Sequence, residues 1–309
     1  MKKRIRVLFL AMALLCTTLF TTGVSADAPV DEELTIEHVD VATGQTTQFT
    51  VQADESTPSV IPGYAGSVAS AGAIEGGIDL NNIIGSDNRY EVKNTDQVPY
   101  RFICYTVTNF SDGYKRYGTG FMIGPNKMAT SAYNLYDPSH GGKASNIAVA
   151  PARNGSSSPY GYVHSTSFEY PTNYATQINS GNSDGAQLYD IACVTLSSNL
   201  GSQCGYFNIR SIERSDTYVG KSITVAGYPA NASNNTPLYK LNKSAGTVTN
   251  GNNANIFYTI DTSYGQSGGP VYIEENGNYF VVGVHNWGDD IMNGARKMTP
   301  SILEWFQNR

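Results

Sequence analysis

The chain has 309 residues, a formal net charge of −6 at pH 7, 31 Gly, 13 Pro and 21 Tyr. Apolar residues make up 40% of it and charged residues only 15%, which excludes a chain that is disordered throughout. Long runs of helix-forming residues are absent, so the composition argues against a helical bundle and for an all-β protein with many turns. The acidic balance argues against nucleic-acid binding.

The charge divides the chain into three parts. Residues 1–26 carry four basic residues and no acid, and residues 27–82 carry ten acids and no Lys or Arg. Residues 83–309 are balanced, with 16 basic and 16 acidic residues. The acidity therefore belongs to the middle part alone.

The first part has the pattern of an export signal. Basic residues at 2–6 precede an apolar stretch at 7–20, and Val24-Ser25-Ala26 is a small-residue cleavage site. The alternative, a membrane anchor, needs about 20 apolar residues, and the stretch 7–20 is shorter than that. We expect cleavage after Ala26, secretion, and no membrane span.

The acidic segment 27–82 has two interpretations. It is either a solvated surface tail or a propeptide that is removed or masks a site. The sequence favours a propeptide, followed by a β domain at 83–309.

Three cysteines remain after export, Cys104, Cys193 and Cys204. At most one disulfide can form among them, and the sequence does not say which pair. No Cys-x-x-Cys pair exists, so we expect no thiolate metal site, and we predict no cofactor.

Short β-branched runs separated by Gly, Asn and Pro turns recur after residue 82 and predict strands. A single helix is predicted at the end, where Thr299 is placed to cap it and Pro300 suits its first position. The predicted strands are 100–107, 120–123, 146–150, 190–196, 222–226, 256–260, 270–273 and 279–284.

The most specific stretch is 261–272, Asp-Thr-Ser-Tyr-Gly-Gln-Ser-Gly-Gly-Pro-Val-Tyr. A serine among glycines lets a substrate carbonyl approach, and the N–H groups of Gly265 and Ser267 can form an oxyanion hole. Gly-x-Ser-x-Gly also matches the nucleophile elbow of α/β-hydrolases, but that elbow leads into a helix, whereas Ser267 precedes a predicted strand.

Residues 83–309 resemble a chymotrypsin-fold serine peptidase, and in particular the secreted bacterial glutamyl endopeptidases. The matching segments are 118–127, 151–155, 188–192, 225–229, 261–270 and 283–285. The resemblance implies an all-β protein of two six-stranded β-barrels with a C-terminal helix and a site between the barrels.

The resemblance also implies residue roles. Ser267 matches the nucleophile, Asp190 the acid that orients the catalytic imidazole, and Gly265 the oxyanion donor. Thr262 and His285 match positions that bind the glutamate side chain of the substrate. Maturation before Ile83 would place a new α-amine near the same pocket.

One departure from this family concerns the general base. Tyr133 occupies the position of the catalytic histidine, within Thr130-Ser131-Ala132-Tyr133-Asn134. The reference pKa of tyrosine, about 10, leaves roughly one part in a thousand as phenolate at pH 7.

Two functions remain open. The first is a pseudoprotease that keeps the acidic-residue pocket and binds peptides or proteins with acidic side chains. The second is an active serine endopeptidase that cleaves after Glu or Asp with an unconventional or relocated base, for which His140 is a candidate. We expect a monomer in either case.

Overall fold

A computed structural model describes residues 33–66, 83–84, 87–231 and 233–308. The predicted signal, residues 1–26, lies outside these ranges. The strands of the described residues are β1 (Leu34–Asp40), β2 (Thr46–Val51), β3 (Val60–Ile61), β4 (Tyr90–Glu91), β5 (Ile103–Asn109), β6 (Lys115–Met122), β7 (Lys127–Thr130), β8 (Tyr136–Asp137), β9 (Gly142–Lys143), β10 (Asn146–Pro151), β11 (Val163–Pro171), β12 (Ala192–Leu196), β13 (Asn208–Arg210), β14 (Ser222–Gly227), β15 (Ala230–Asn231), β16 (Thr236–Pro237), β17 (Asn242–Gly251), β18 (Asn255–Tyr258), β19 (Pro270–Glu275), β20 (Asn278–Gly288) and β21 (Asn293–Lys297). The α-helices are α1 (Thr172–Asn179), α2 (Ser183–Gln187), α3 (Gly201–Cys204) and α4 (Pro300–Gln307).

The first barrel is a six-stranded antiparallel sheet in the order β10-β5-β6-β7-β12-β11. Pairing of β10 with β11 closes it, with Ala148 opposite His164. A closed sheet has no unpaired edge of its own, and β11 extends beyond the closure to pair with β1, which pairs with β2.

The second barrel has the order β19-β14-β17-β18-β21-β20 and is closed by pairing of β19 with β20. Strand β13 adds to β20 in parallel, and β3 adds to β13. The prediction of two six-stranded barrels with a C-terminal helix is therefore confirmed.

Three local predictions need correction. The strand predicted from Tyr100 begins at Ile103, because residues 100–102 form a 3₁₀ turn. Helices α1, α2 and α3 were not predicted, because α1 buries only Tyr174, α2 only Ala186 and the four-residue α3 only Gly201 and Cys204, which leaves almost no apolar periodicity to read. Thr299 precedes α4 but its side chain makes no capping hydrogen bond.

The acidic segment adds strands that extend the sheets of both closed barrels. Residues 33–66 hold β1, β2 and β3, so this part of the segment is not a solvated tail. Leu34 and Ile36 are 1% and 0% exposed, respectively, and pack in the same apolar cluster as Trp305 of α4. This cluster also contains residues of both barrels and therefore joins them.

In the described part of the chain no disulfide joins Cys104, Cys193 and Cys204, and all three are buried. Burial raises the pKa of the Cys204 thiol to about 12, so this thiol stays protonated at neutral pH. No helix among the described residues is long and apolar enough to cross a membrane.

Candidate active site

The loop 259–269 between β18 and β19 carries Ser267 and is held by backbone hydrogen bonds within the loop and to β20. Gln266 N–H donates to Ser263 O at 3.0 Å, and Gly268 N–H donates to His285 O at 2.7 Å. Gly268 has φ +87°, and a Cβ there would lie 2.2 Å from the carbonyl oxygen of Thr119. Glycine is therefore required at 268 by both backbone conformation and space.

The first barrel fixes the backbone of Ser267. The Ser267 carbonyl accepts hydrogen bonds from Thr119 N–H at 3.1 Å and from the Asn134 side-chain amide at 2.9 Å. Asn134 also packs against Gly118, where a Cβ would lie 2.6 Å from the Asn134 amide oxygen. The serine loop of the second barrel is thus held by β6 and by the turn that follows β7.

Two backbone N–H groups at the serine are available to an anion. Among the described residues, neither the Gly265 N–H nor the Ser267 N–H donates a hydrogen bond. Gly265 has φ +88°, and a Cβ there would lie 2.7 Å from Ala230 N. These are the two groups that the sequence assigned to the oxyanion hole.

Within the described part of the chain, the Ser267 hydroxyl has no activating partner. It is half-buried and forms no hydrogen bond with any residue that the structure describes. A nucleophilic serine needs a base within hydrogen-bond reach.

Asp190, the predicted catalytic acid, is 3% exposed and lies next to Tyr133. Its carboxylate accepts the backbone N–H of Tyr133 at 2.8 Å. Burial raises the pKa of Asp190 to about 7, while hydrogen bonds from the backbones of Tyr133 and Ala132 lower it. The carboxylate is therefore held by the backbone of Tyr133, the residue that the sequence predicts at the position of the catalytic histidine.

Tyr133 is packed on an arginine that the sequence analysis did not identify. The Arg116 guanidinium carbon lies 3.9 Å from the centroid of the Tyr133 ring. Its nitrogens donate to the backbone carbonyl of Tyr133 and to the Asp137 carboxylate. Burial raises the pKa of the Tyr133 phenol and the Arg116 charge lowers it, with a net rise.

Arg116 is buried on β6, and a single Arg in a strand does not predict a contact with a distant tyrosine. Only its position two residues before Gly118 places it on the same face of the strand as Gly118 and Gly120, because alternate residues share one face of a strand.

His140 is held on the outside of this region. Its Nδ1 lies 2.7 Å from Asp112 Oδ2, and its ring stacks on Tyr114 at 3.7 Å and 4°. The side-chain hydrogen bond and the ring contacts of His140 within the described residues are with residues 110–114. None of these contacts brings it to Ser267.

The predicted specificity residues lie against β21. His285 Nδ1 is 2.9 Å from the Tyr258 hydroxyl and 3.1 Å from Gly294 O. The Thr262 hydroxyl donates to Asn293 Oδ1 at 3.0 Å. Two adjacent residues of one strand thus hold Thr262 and His285.

These contacts favour one tautomer of His285. The Tyr258 hydroxyl also donates to Gly294 O at 3.2 Å, so its oxygen can accept a hydrogen bond from a protonated Nδ1. Burial lowers the pKa of His285 to about 4, so the ring is neutral at pH 7. Nε2 then carries a lone pair, and holding a carboxylate requires a second proton on the ring.

Ile83 lies beside the specificity loop. The backbone N–H groups of Ile84 and Asn88 donate to the two carboxylate oxygens of Asp261 at 2.7 and 2.9 Å. Asp261 is fully buried and directly precedes Thr262. The start of the predicted mature domain is therefore hydrogen-bonded to the loop that carries Thr262 of the predicted pocket. The acceptor is Asp261, an aspartate that the sequence did not single out.

No group of three or more His, Cys, Asp or Glu side chains within the described ranges is arranged to hold a metal ion.

Comparison with known proteins agrees with this architecture. The trypsin family matches residues 91–305. A glutamyl endopeptidase of Bacillus licheniformis is 31% identical over 237 residues, covering 74% of this chain and 69% of that protein. An extracellular metalloprotease of Bacillus subtilis is 27% identical over 315 residues, covering 97% and 95%, respectively.

A solved structure gives the same result. The structure of a Glu endopeptidase in complex with MPD has a TM-score of 0.60 and 30% identity. The match covers 73% of this chain and 98% of that one. This chain belongs to the trypsin family and is a homologue of the glutamyl endopeptidases.

Proposed function

We propose that this protein is a secreted pseudoprotease that binds acidic peptides through its specificity pocket and does not cleave them. One observation carries the proposal. The Ser267 hydroxyl has no hydrogen-bond partner among the described residues, and Tyr133, to which we assign the position of the general base, packs on Arg116.

The four histidines of the chain all have other partners. His38 contacts Glu169 at 2.9 Å and His164 contacts Asn146 at 3.0 Å. His140 contacts Asp112 and His285 contacts Tyr258. These contacts argue against a relocated histidine base.

The phenol of Tyr133 is a poor substitute. Its raised pKa keeps it neutral at pH 7, so it cannot take the serine proton as imidazole does. Loss of the base in an unrelated serine peptidase costs on the order of 10⁶ in turnover, about 8 kcal/mol of barrier.

Binding needs no base. The free N–H groups of Gly265 and Ser267 can donate hydrogen bonds to a carboxylate, and Thr262 and His285 lie at the predicted side-chain pocket. A peptide that ends in Glu presents a carboxylate to each of these two sites. We propose such peptide ends, or acidic segments of a partner protein, as the ligand class.

The proposal includes export and maturation. Residues 1–26 would be the signal and residues 27–82 the propeptide, with Ile83 as the new N-terminus of a monomeric domain. The hydrogen bonds from residues 84 and 88 to Asp261 support the proposal that Ile83 is a chain terminus near the pocket.

Hydrolysis and binding should be measured on the same preparation. The full chain is used intact and after cutting at a protease site inserted between Gly76 and Gly77. We expect no hydrolysis of a chromogenic Glu peptide, together with saturable binding of a fluorescent peptide ending in Glu and weaker binding of the same peptide ending in Gln.

Two variants complete the experiment. His285→Gln should reduce binding of the Glu peptide, and His164→Gln, at an exposed histidine, should leave it unchanged. Hydrolysis by the natural sequence that Ser267→Ala abolishes would overturn the proposal and establish an active endopeptidase with an unconventional base.

A further inference from the structure

The acidic segment adds two strands, β1 and β2, to strand β11 of the first barrel. β1 pairs with β11 from Ile36–Pro171 to Asp40–Ser167, and β2 pairs with β1 along its length. Leu34, Ile36 and Val39 are at most 3% exposed and lie in the apolar core. Taking β1 away would expose these side chains and the apolar surface of β11 that they cover.

A buried carboxylate also depends on the segment. Glu169 on β11 is 4% exposed and accepts the Trp305 indole N–H at 2.7 Å. His38 of β1 contacts the other oxygen at 2.9 Å. Nearby, Glu37 of β1 forms an ion pair with Lys143 at 2.5 Å. Loss of His38 would leave Glu169 buried with fewer partners, which is costly.

The segment continues across the second barrel. Val60 and Ile61 pair with β13, and Tyr64 exchanges two backbone hydrogen bonds with Tyr206 at 2.9 and 2.8 Å. At Gly63 a Cβ would lie 2.4 Å from the backbone nitrogen of Asn208. An approach this close indicates an interface fitted to the backbone of the domain.

The C-terminal helix holds the middle of the segment. The Thr57 hydroxyl donates to Glu304 Oε2 at 2.7 Å, and the Ala53 N–H donates to the Ser301 hydroxyl at 3.4 Å. Residues 33–66 therefore contact the first barrel, α4 and the second barrel in turn. None of the contacts given above for these described residues is with Ser267, Thr262 or His285.

Both flanks of residues 67–82 are fixed to the domain. On one side the Arg101 guanidinium donates to Ala65 O. On the other side the backbone of Ile84 and Asn88 donates to Asp261. A cut between these flanks breaks none of the contacts described above.

We propose that the acidic segment stays bound after cleavage, as a second, non-covalent chain whose strands pair with the outside of both closed barrels. The binding partner of the 83–309 domain is thus the segment that precedes it. Cleavage would change the end near Asp261 without removing the strands.

The test uses the full chain with the protease site between Gly76 and Gly77. After complete cutting, we expect the two fragments to elute together as one species in size-exclusion chromatography and to separate only in denaturant. Elution of the small fragment on its own in native buffer overturns the proposal. Neither result depends on peptide binding or hydrolysis, so the outcome is distinguishable from a failure of the proposed function.

A matched pair of variants locates the interface. Ile36→Asp places a charge at a fully buried position of β1 and should release the cut fragment. Thr46→Asp places the same charge at an exposed position of β2 and should leave elution unchanged. If Ile36→Asp prevents folding of the uncut chain, the natural sequence after cutting still decides the question.

Discussion

The guanidinium of Arg116 lies over the ring of Tyr133, with 3.9 Å between its central carbon and the ring centroid. A fixed positive charge therefore lies next to the residue predicted to replace the general base, which in a serine peptidase becomes positively charged in the transition state. At about 4 Å and an effective dielectric of about 20, two like charges repel by about 4 kcal/mol.

This repulsion predicts that Tyr133→His alone restores little hydrolysis of a Glu peptide. The double variant Tyr133→His/Arg116→Gln should be at least about tenfold faster, because the imidazolium no longer faces a cation. The measurement is chromogenic hydrolysis, with Ser267→Ala added as the control that removes it. Equal rates for the single and double variants would show that Arg116 does not limit catalysis.

Asp190 should make stability fall as pH rises. Its folded pKa of about 7 lies above the unfolded value of about 3.9, so its contribution is fully present below pH 4 and is lost as pH rises through 7. A difference of one between the folded and unfolded pKa values corresponds to about 1.4 kcal/mol of unfolding free energy. Urea unfolding of Asp190→Asn, compared with the natural sequence from pH 4 to 8, should show a difference that grows with pH in favour of the variant. A constant difference would contradict the raised pKa.

His285 should take up a proton when an acidic peptide binds. The ring is neutral in the free protein because burial lowers its pKa to about 4, and a carboxylate ligand favours the charged form. Affinity for a peptide ending in Glu should therefore rise by up to about tenfold per pH unit between pH 8 and 6. A peptide ending in an amide with Gln as its last residue should show no such trend. Calorimetry in buffers of different ionisation enthalpy measures the proton uptake directly.

Asp261→Asn should loosen the start of the mature domain. The variant has one carboxamide oxygen for the two N–H groups of Ile84 and Asn88, and leaving one of them unpaired in a buried site costs about 1–3 kcal/mol of unfolding free energy. Asp289→Asn is the matched control, because this exposed carboxylate also accepts two backbone N–H groups, from Ile291 and Met292. We expect a much smaller change there in urea unfolding.

The amino-acid sequence alone was enough to predict the family, the two barrels and the serine loop, and it also predicts that the catalytic histidine is replaced. These features are carried by short motifs, such as residues 261–270 around Ser267 and residues 130–134 around Tyr133, in which neighbours along the chain are also neighbours in the site. Strands β12 and β19 could be predicted for the same reason, since each contains a short run of apolar and β-branched residues within a few positions.

Tertiary structure decided the rest. Arg116 reaches Tyr133 from another strand, Tyr258 reaches His285 across the second barrel, and β1 pairs with β11, which lies far from it along the chain. The polar, weakly patterned segment 33–66 is ordered by the surface that it covers, and its own sequence has too little apolar content to predict that. Such contacts depend on which surfaces the folded barrels bring together, and local residue preferences do not contain that information.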